Sequence, residues 1–95
     1  MPYVPSVIKQ PAESRLFTME FAALLATGET LAGVTSVTDD PTGTLTLTGE
    51  TYSGSQASVR IAGGTDGVTY KITFVVTTSA GNTLEAEGLL KVEDL

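Results

Sequence analysis

Ninety-five residues leave room for one domain built around one core. Eleven acidic residues against five basic give a formal net charge of −6, which repels phosphate backbones and anionic membrane surfaces and sets nucleic acid and membrane aside as partners. The chain has no histidine and no cysteine, which excludes imidazole- and thiolate-based catalysis and metal sites, along with any disulfide framework.

The opening Met1-Pro2-Tyr3-Val4-Pro5 lacks the basic-then-apolar pattern of a secretory signal, so synthesis and retention in the cytoplasm are expected. Pro2, Pro5 and Pro11 each remove a backbone donor, which predicts an extended arm or edge segment over residues 1–14, followed by a folded domain over 15–95. From Arg15 to Phe21 the pattern alternates, with Phe17, Met19 and Phe21 on one face, as a half-buried strand requires. Residues 21–26 favour a helical turn by propensity, and Gly28 limits it to one or two turns. A strand is expected over 31–38 with Val34 and Val37 inward, then a turn over Asp39-Asp40-Pro41-Thr42-Gly43. Alternation over 44–48 marks a thin peripheral strand with Leu45 and Leu47 inward, and Ala57, Val59 and Ile61 mark one face of the next.

Gly63, Gly64 and Gly67 supply the backbone angles of a tight crossing. The strand that follows places Val68, Tyr70, Ile72, Phe74 and Val76 on one face. A tyrosine just after a Gly/Asp turn, as Tyr70 is, resembles the tyrosine corner of immunoglobulin-like sandwiches, in which the hydroxyl bonds back to nearby backbone. Ser79-Ala80-Gly81-Asn82 reads as a hairpin, and the last strand turns Leu84, Ala86, Leu90 and Val92 inward with a bulge or close approach at Gly88. The fold class expected is all-β: an immunoglobulin-like antiparallel β-sandwich of about seven strands with one short helical turn near residues 21–26.

The remaining residues offer little chemistry. Asp39 and Asp40 are neighbours that an extended chain points to opposite faces, a poor geometry for paired acid–base work, and they read as a solvated turn. The calcium-loop spacing is missing. Gly63-Gly64-Thr65-Asp66-Gly67 is followed by a strand, whereas a phosphate cradle needs a helix N-terminus there. No catalytic residue, metal ligand or cofactor is therefore expected. Candidate partner contacts are Tyr3, Val4, Ile8 and Tyr52, and Tyr70, Gly63, Gly64 and Gly67 are assigned to the framework.

Four segments, in order along nearly the whole chain, resemble one family. Ile8-Lys9-Gln10-Pro11 resembles its hydrophobic-Lys-Asp-Pro opening, and Leu24-Leu25-Ala26-Thr27-Gly28-Glu29-Thr30-Leu31 resembles its Trp-Leu-x-x-Gly-Glu-Thr-Ile segment. Gly63-Gly64-Thr65-Asp66-Gly67-Val68-Thr69-Tyr70 resembles its Gly-Gly-x-x-Gly-x-x-Tyr turn, and Thr77-Thr78-Ser79-Ala80-Gly81-Asn82 its Thr-Thr-Ser-x-Gly-Arg hairpin. The family is that of small tailed-phage proteins known as fibre-tail adaptors or neck accessory proteins. Phe21 and Leu24 stand where its tryptophans would be. The resemblance implies a structural virion component, assembled in the host cytoplasm at the head, neck or tail. Its partners would be other virion proteins, in a homo-oligomer or symmetric array. A competing reading from the residues alone is a carbohydrate- or surface-binding module, for which only Tyr3 and Tyr52 are plausible exposed aromatics.

Overall fold

A computed structural model describes residues 6–94. Strands β1 (Ser6–Lys9) and β2 (Arg15–Glu20) are followed by a single 3-10 turn over Ala22–Leu24, then β3 (Leu31–Asp40), β4 (Leu45–Ser53), β5 (Gln56–Gly63), β6 (Thr69–Thr78) and β7 (Thr83–Val92). They form two sheets, one ordered β1-β7-β6-β3 and the other β2-β5-β4. The neighbours β3-β6-β7 and β2-β5-β4 are those of the C-F-G and B-E-D strands of an immunoglobulin-like sandwich.

Period-two alternation builds the core between the sheets. Phe17 and Met19 from β2, Ala57, Val59 and Ile61 from β5, Tyr70, Ile72, Phe74 and Val76 from β6, and Ala86, Leu90 and Val92 from β7 are all buried. Phe21 and Leu31 join them. Phe17 and Phe74 stack across the two layers with ring centroids 6.1 Å apart. Each Val, Leu, Ile, Phe or Met side chain among them contributes about 1.5–3 kcal/mol by leaving water, so this alternating set is what holds the layers together. Val34, Val37, Leu45 and Leu47 pack at its margin, partly buried.

Several expectations change. The sandwich is not wholly antiparallel, because β1 runs parallel to β7, with Ser6 opposite Leu89 and Lys9 opposite Val92. Parallel neighbours need a long crossover between them; here the whole domain from β2 to β6 is that crossover. Within the segment expected as an extended arm or edge segment, Ser6–Lys9 form an edge strand of the first sheet. β3 continues through Asp39 and Asp40, paired with Ile72 and Lys71, so these carboxylates belong to a strand end and not to a free turn. Asp39 sits on the inward-facing row with a buried Oδ2 that has no hydrogen-bond partner. β4 extends well past residue 48, because pairing with β5 resumes at Thr51 after a register shift around Gly49 and Glu50. The left-handed angle at Gly49, φ 65°, permits that shift. No bulge occurs at Gly88, which lies in an unbroken β6–β7 register opposite Ile72.

Candidate functional site

The chain directions give the sandwich two ends. β6 begins at one and finishes at the other, so the crossing around Gly63 and Tyr70 and the hairpin around Thr78 lie far apart on a molecule 41 Å long.

At the first end, a lysine and a tyrosine are sunk into backbone. Lys9 is fully buried, and its Nζ donates to the carbonyls of Gln10 at 2.7 Å, Pro11 at 3.1 Å and Gly63 at 2.5 Å. An ammonium has three protons, and these three acceptors match them. Burial pushes the Lys9 pKa below the ordinary lysine value, against the opposing fields of Glu13 and Tyr70. Beside it, the Tyr70 hydroxyl accepts from the Thr65 N–H at 2.8 Å and shares a 2.6 Å hydrogen bond with Thr44 Oγ1. Burial pushes the Tyr70 phenol up, but these hydrogen bonds outweigh it and the net shift is downward.

The glycines of this end are conformational and steric at once. Gly64 has φ 103°, and a Cβ there would lie 2.7 Å from Val92 Cγ2 and 3.0 Å from Leu45 Cδ2. Gly63, φ 78°, would place a Cβ 2.8 Å from the Thr44 carbonyl. Gly67, φ 88°, has open space around it and is needed for its backbone angle alone. Its N–H donates to the Val92 carbonyl, while the Glu93 N–H donates to Lys9 and the Asp94 N–H to Asp66 Oδ1. The β1 end, the 63–70 crossing and the β7 end are therefore tied into one knot.

The second end is closed by two carboxylates. Glu29 accepts from the Ala26 N–H at 2.8 Å, from Thr78 Oγ1 at 2.5 Å and from Asn82 Nδ2 at 2.9 Å. Glu20 accepts from Ser55 Oγ at 2.5 Å, Gln56 Nε2 at 3.0 Å and the Ala22 N–H at 3.0 Å. Hydrogen bonds to the charged form lower both pKa values; the Ala26 N–H leads at Glu29 and the Ser55 hydroxyl at Glu20. The Ser79 N–H donates to the Thr30 carbonyl and the Leu31 N–H to Gly54, which joins three loops. Arg15, Lys71 and Lys91, by contrast, lie toward the first end beside Glu13, Glu87 and Glu93, at 3.9, 3.5 and 3.0 Å.

The partner contacts expected from sequence are dispersed. Tyr3 and Val4 lie outside the described residues. Ile8, 50% exposed, stands on the outer face of β1 near Leu89, and Tyr52, 47% exposed, is near the end of β4 on the opposite edge of the sandwich. No element brings the two together. What the sequence reading missed is Lys9 and Glu29 as framework residues. Glu29 carries a local signal, a carboxylate one residue after Gly28, φ 81°, and three after the N–H it caps. Lys9 carries none, since its key acceptor is Gly63, 54 residues away.

A family model described as Podophage GP4 fiber-tail adaptor protein gp77 matches residues 9–91. The match opens at Lys9 and runs through both hydrogen-bonded ends, and the chain belongs to that family. No curated protein matches it.

Proposed function

We propose that this member of the podophage fibre-tail adaptor family is a structural part of the virion that holds other virion proteins together by surface contact and carries out no chemistry. The match over residues 9–91 carries this reading. The geometry is consistent with it, because Lys9, Glu29, Gly63 and Gly64 are engaged in closing the two ends of the domain, while Ile8 and Tyr52 are among the large apolar side chains left exposed. Ile8 and Tyr52 are assigned as partner contacts. They stand on opposite edges of the sandwich, as suits a domain that bridges two neighbours. Tyr3 and Val4, apolar residues set between Pro2 and Pro5 in the sequence, are assigned to the same role.

Mass spectrometry of purified particles tests the reading. The chain is expected at a fixed copy number per virion, and particles made without it are expected to lose a tail or fibre component. Absence from purified virions would overturn the proposal.

A further inference from the structure

An unpaired sheet edge is a row of free N–H and C=O groups, and proteins blunt such edges with bulges, prolines, charges or short strands. The sandwich has four edges: β1 and β3 in the first sheet, β2 and β4 in the second. Three of them are blunted. β3 breaks register between Leu31 and Gly33 and again between Val34 and Ser36, then ends in Asp39 and Asp40, with Pro41 next in the chain. β4 breaks register between Thr48 and Thr51, with Glu50 in the interruption. β1 has only four residues, closes on the buried Lys9 and is followed by Pro11.

β2 is different. Its six residues pair with β5 one for one, from Arg15 opposite Ile61 to Glu20 opposite Gln56, with no shift. It contains neither proline nor glycine, its two charged residues, Arg15 and Glu20, stand at its ends and leave Leu16–Met19 between them uncharged, and among the described residues its other edge has no strand beside it. On its outward face stands Leu16, the most exposed large hydrophobic side chain of the described residues at 52%.

We infer that the β2 edge is a self-association surface whose occupant is the β2 strand of a second copy, antiparallel about a two-fold axis. The sequence of β2 selects the register. With Phe17 opposite Phe17 of the second copy, Leu16 lies opposite Thr18 and Arg15 opposite Met19. The two Leu16 side chains become diagonal neighbours on the same face, within reach of one another. Ser14 meets Glu20, so no like charges stand directly opposed. The inward row of Phe17 and Met19 continues across the junction, and the product is one six-stranded sheet ordered β4-β5-β2-β2-β5-β4. Moving the register by two residues one way places Leu16 opposite Glu20 and separates the leucines; moving it the other way sets Leu16 opposite Leu16 but puts Phe17 opposite Arg15 and Met19 opposite Glu13, which breaks the inward apolar row. An isologous contact of this kind closes on itself as a dimer and leaves Ile8 and Tyr52 outside it. It is independent of which virion proteins the chain joins.

Analytical ultracentrifugation of the purified full-length chain tests this across a concentration series. The wild type is expected to show a two-fold rise in mass. Leu16→Lys, at an exposed position, is expected to keep the far-UV spectrum of the wild type and remain monomeric over the same range, whereas Ile8→Lys still dimerises. Because the chain has no cysteine, Leu16→Cys supplies a sole thiol; a short bismaleimide is expected to trap it as a covalent dimer, with Tyr52→Cys as a control that gives none. A wild type monomeric throughout, or a dimer that survives Leu16→Lys, would overturn the inference. Neither result bears on whether the chain is found in virions.

Discussion

The two ends of this sandwich solve the same problem with opposite charges. At the first, a cation is taken out of water and held by carbonyls of Gln10, Pro11 and Gly63, with the Tyr70 hydroxyl beside it. At the second, the carboxylates of Glu20 and Glu29 stay near the surface and collect N–H and O–H donors from neighbouring loops. A buried charge is expensive to leave unpaired, whereas a solvated one has water as an alternative partner. The first end should therefore be the more sensitive to substitution. The second should be the one that pH controls in acid, below the ordinary glutamate pKa.

Lys9→Met gives the largest expected effect. It leaves the Gly63 carbonyl and its two companions without their donor, and urea unfolding should show a loss of about 3 kcal/mol, from roughly 1–3 kcal/mol per buried polar group left unpaired. A loss no larger than that of Glu29→Gln would break the comparison. Gly64→Ala comes next, at about 2 kcal/mol, from a Cβ forced against Val92 and Leu45 at a left-handed backbone angle. Gly67→Ala, also at a left-handed angle but with open space around it, should cost less. Tyr70→Phe removes the acceptor of the Thr65 N–H and should lose about 1.5 kcal/mol in the same measurement.

At the second end the contribution of the two carboxylates is full at neutral pH and is lost in acid. The folded-state pKa values of Glu20 and Glu29 lie below the ordinary 4.5. The unfolded chain therefore binds more protons as the pH falls through that region, and the stability they contribute, present above pH 4.5, is lost as the pH drops through the lowered folded values. Thermal melts between pH 6 and 2.5 should show this decline, and Glu29→Gln should flatten part of it. Lys9 gives the counterpart at the other extreme. Its folded pKa lies below 10.5, so stability should rise with pH in the window just under that value and stay flat below it. Lys9→Met should remove its share of that rise while leaving the acid decline intact.

Where the fold was readable in the sequence, the reason is local alternation. Phe17, Met19 and Phe21, and then Tyr70, Ile72, Phe74 and Val76, announce their inward faces by a period of two, and all are buried. The Tyr70 reading rested on a turn five residues long, which keeps donor and acceptor close in the chain. Parallel pairing of β1 with β7 had no such signal, since it joins Val7 to Leu90 across nearly the whole sequence. The same holds for Lys9, whose place in Ile8-Lys9-Gln10-Pro11 drew notice as part of a family pattern but whose burial depends on Gly63. Asp39 shows the limit of composition: Asp-Asp-Pro reads as a turn, yet pairing with β6 keeps both aspartates in strand. Of the proposed partner contacts, the placement of Ile8 and Tyr52 on opposite edges emerges only once the sheets are assembled.

The claim that the surface of this domain works by apolar contact while its ends are framework is tested most directly on assembled particles. Virions carrying the double substitution Ile8→Lys and Tyr52→Lys, in a chain that folds like the wild type, can be counted by electron microscopy for complete tails and fibres. The account predicts particles from which an attached component is missing. Particles with full tails and fibres, and with the doubly substituted chain present at normal copy number, would contradict it.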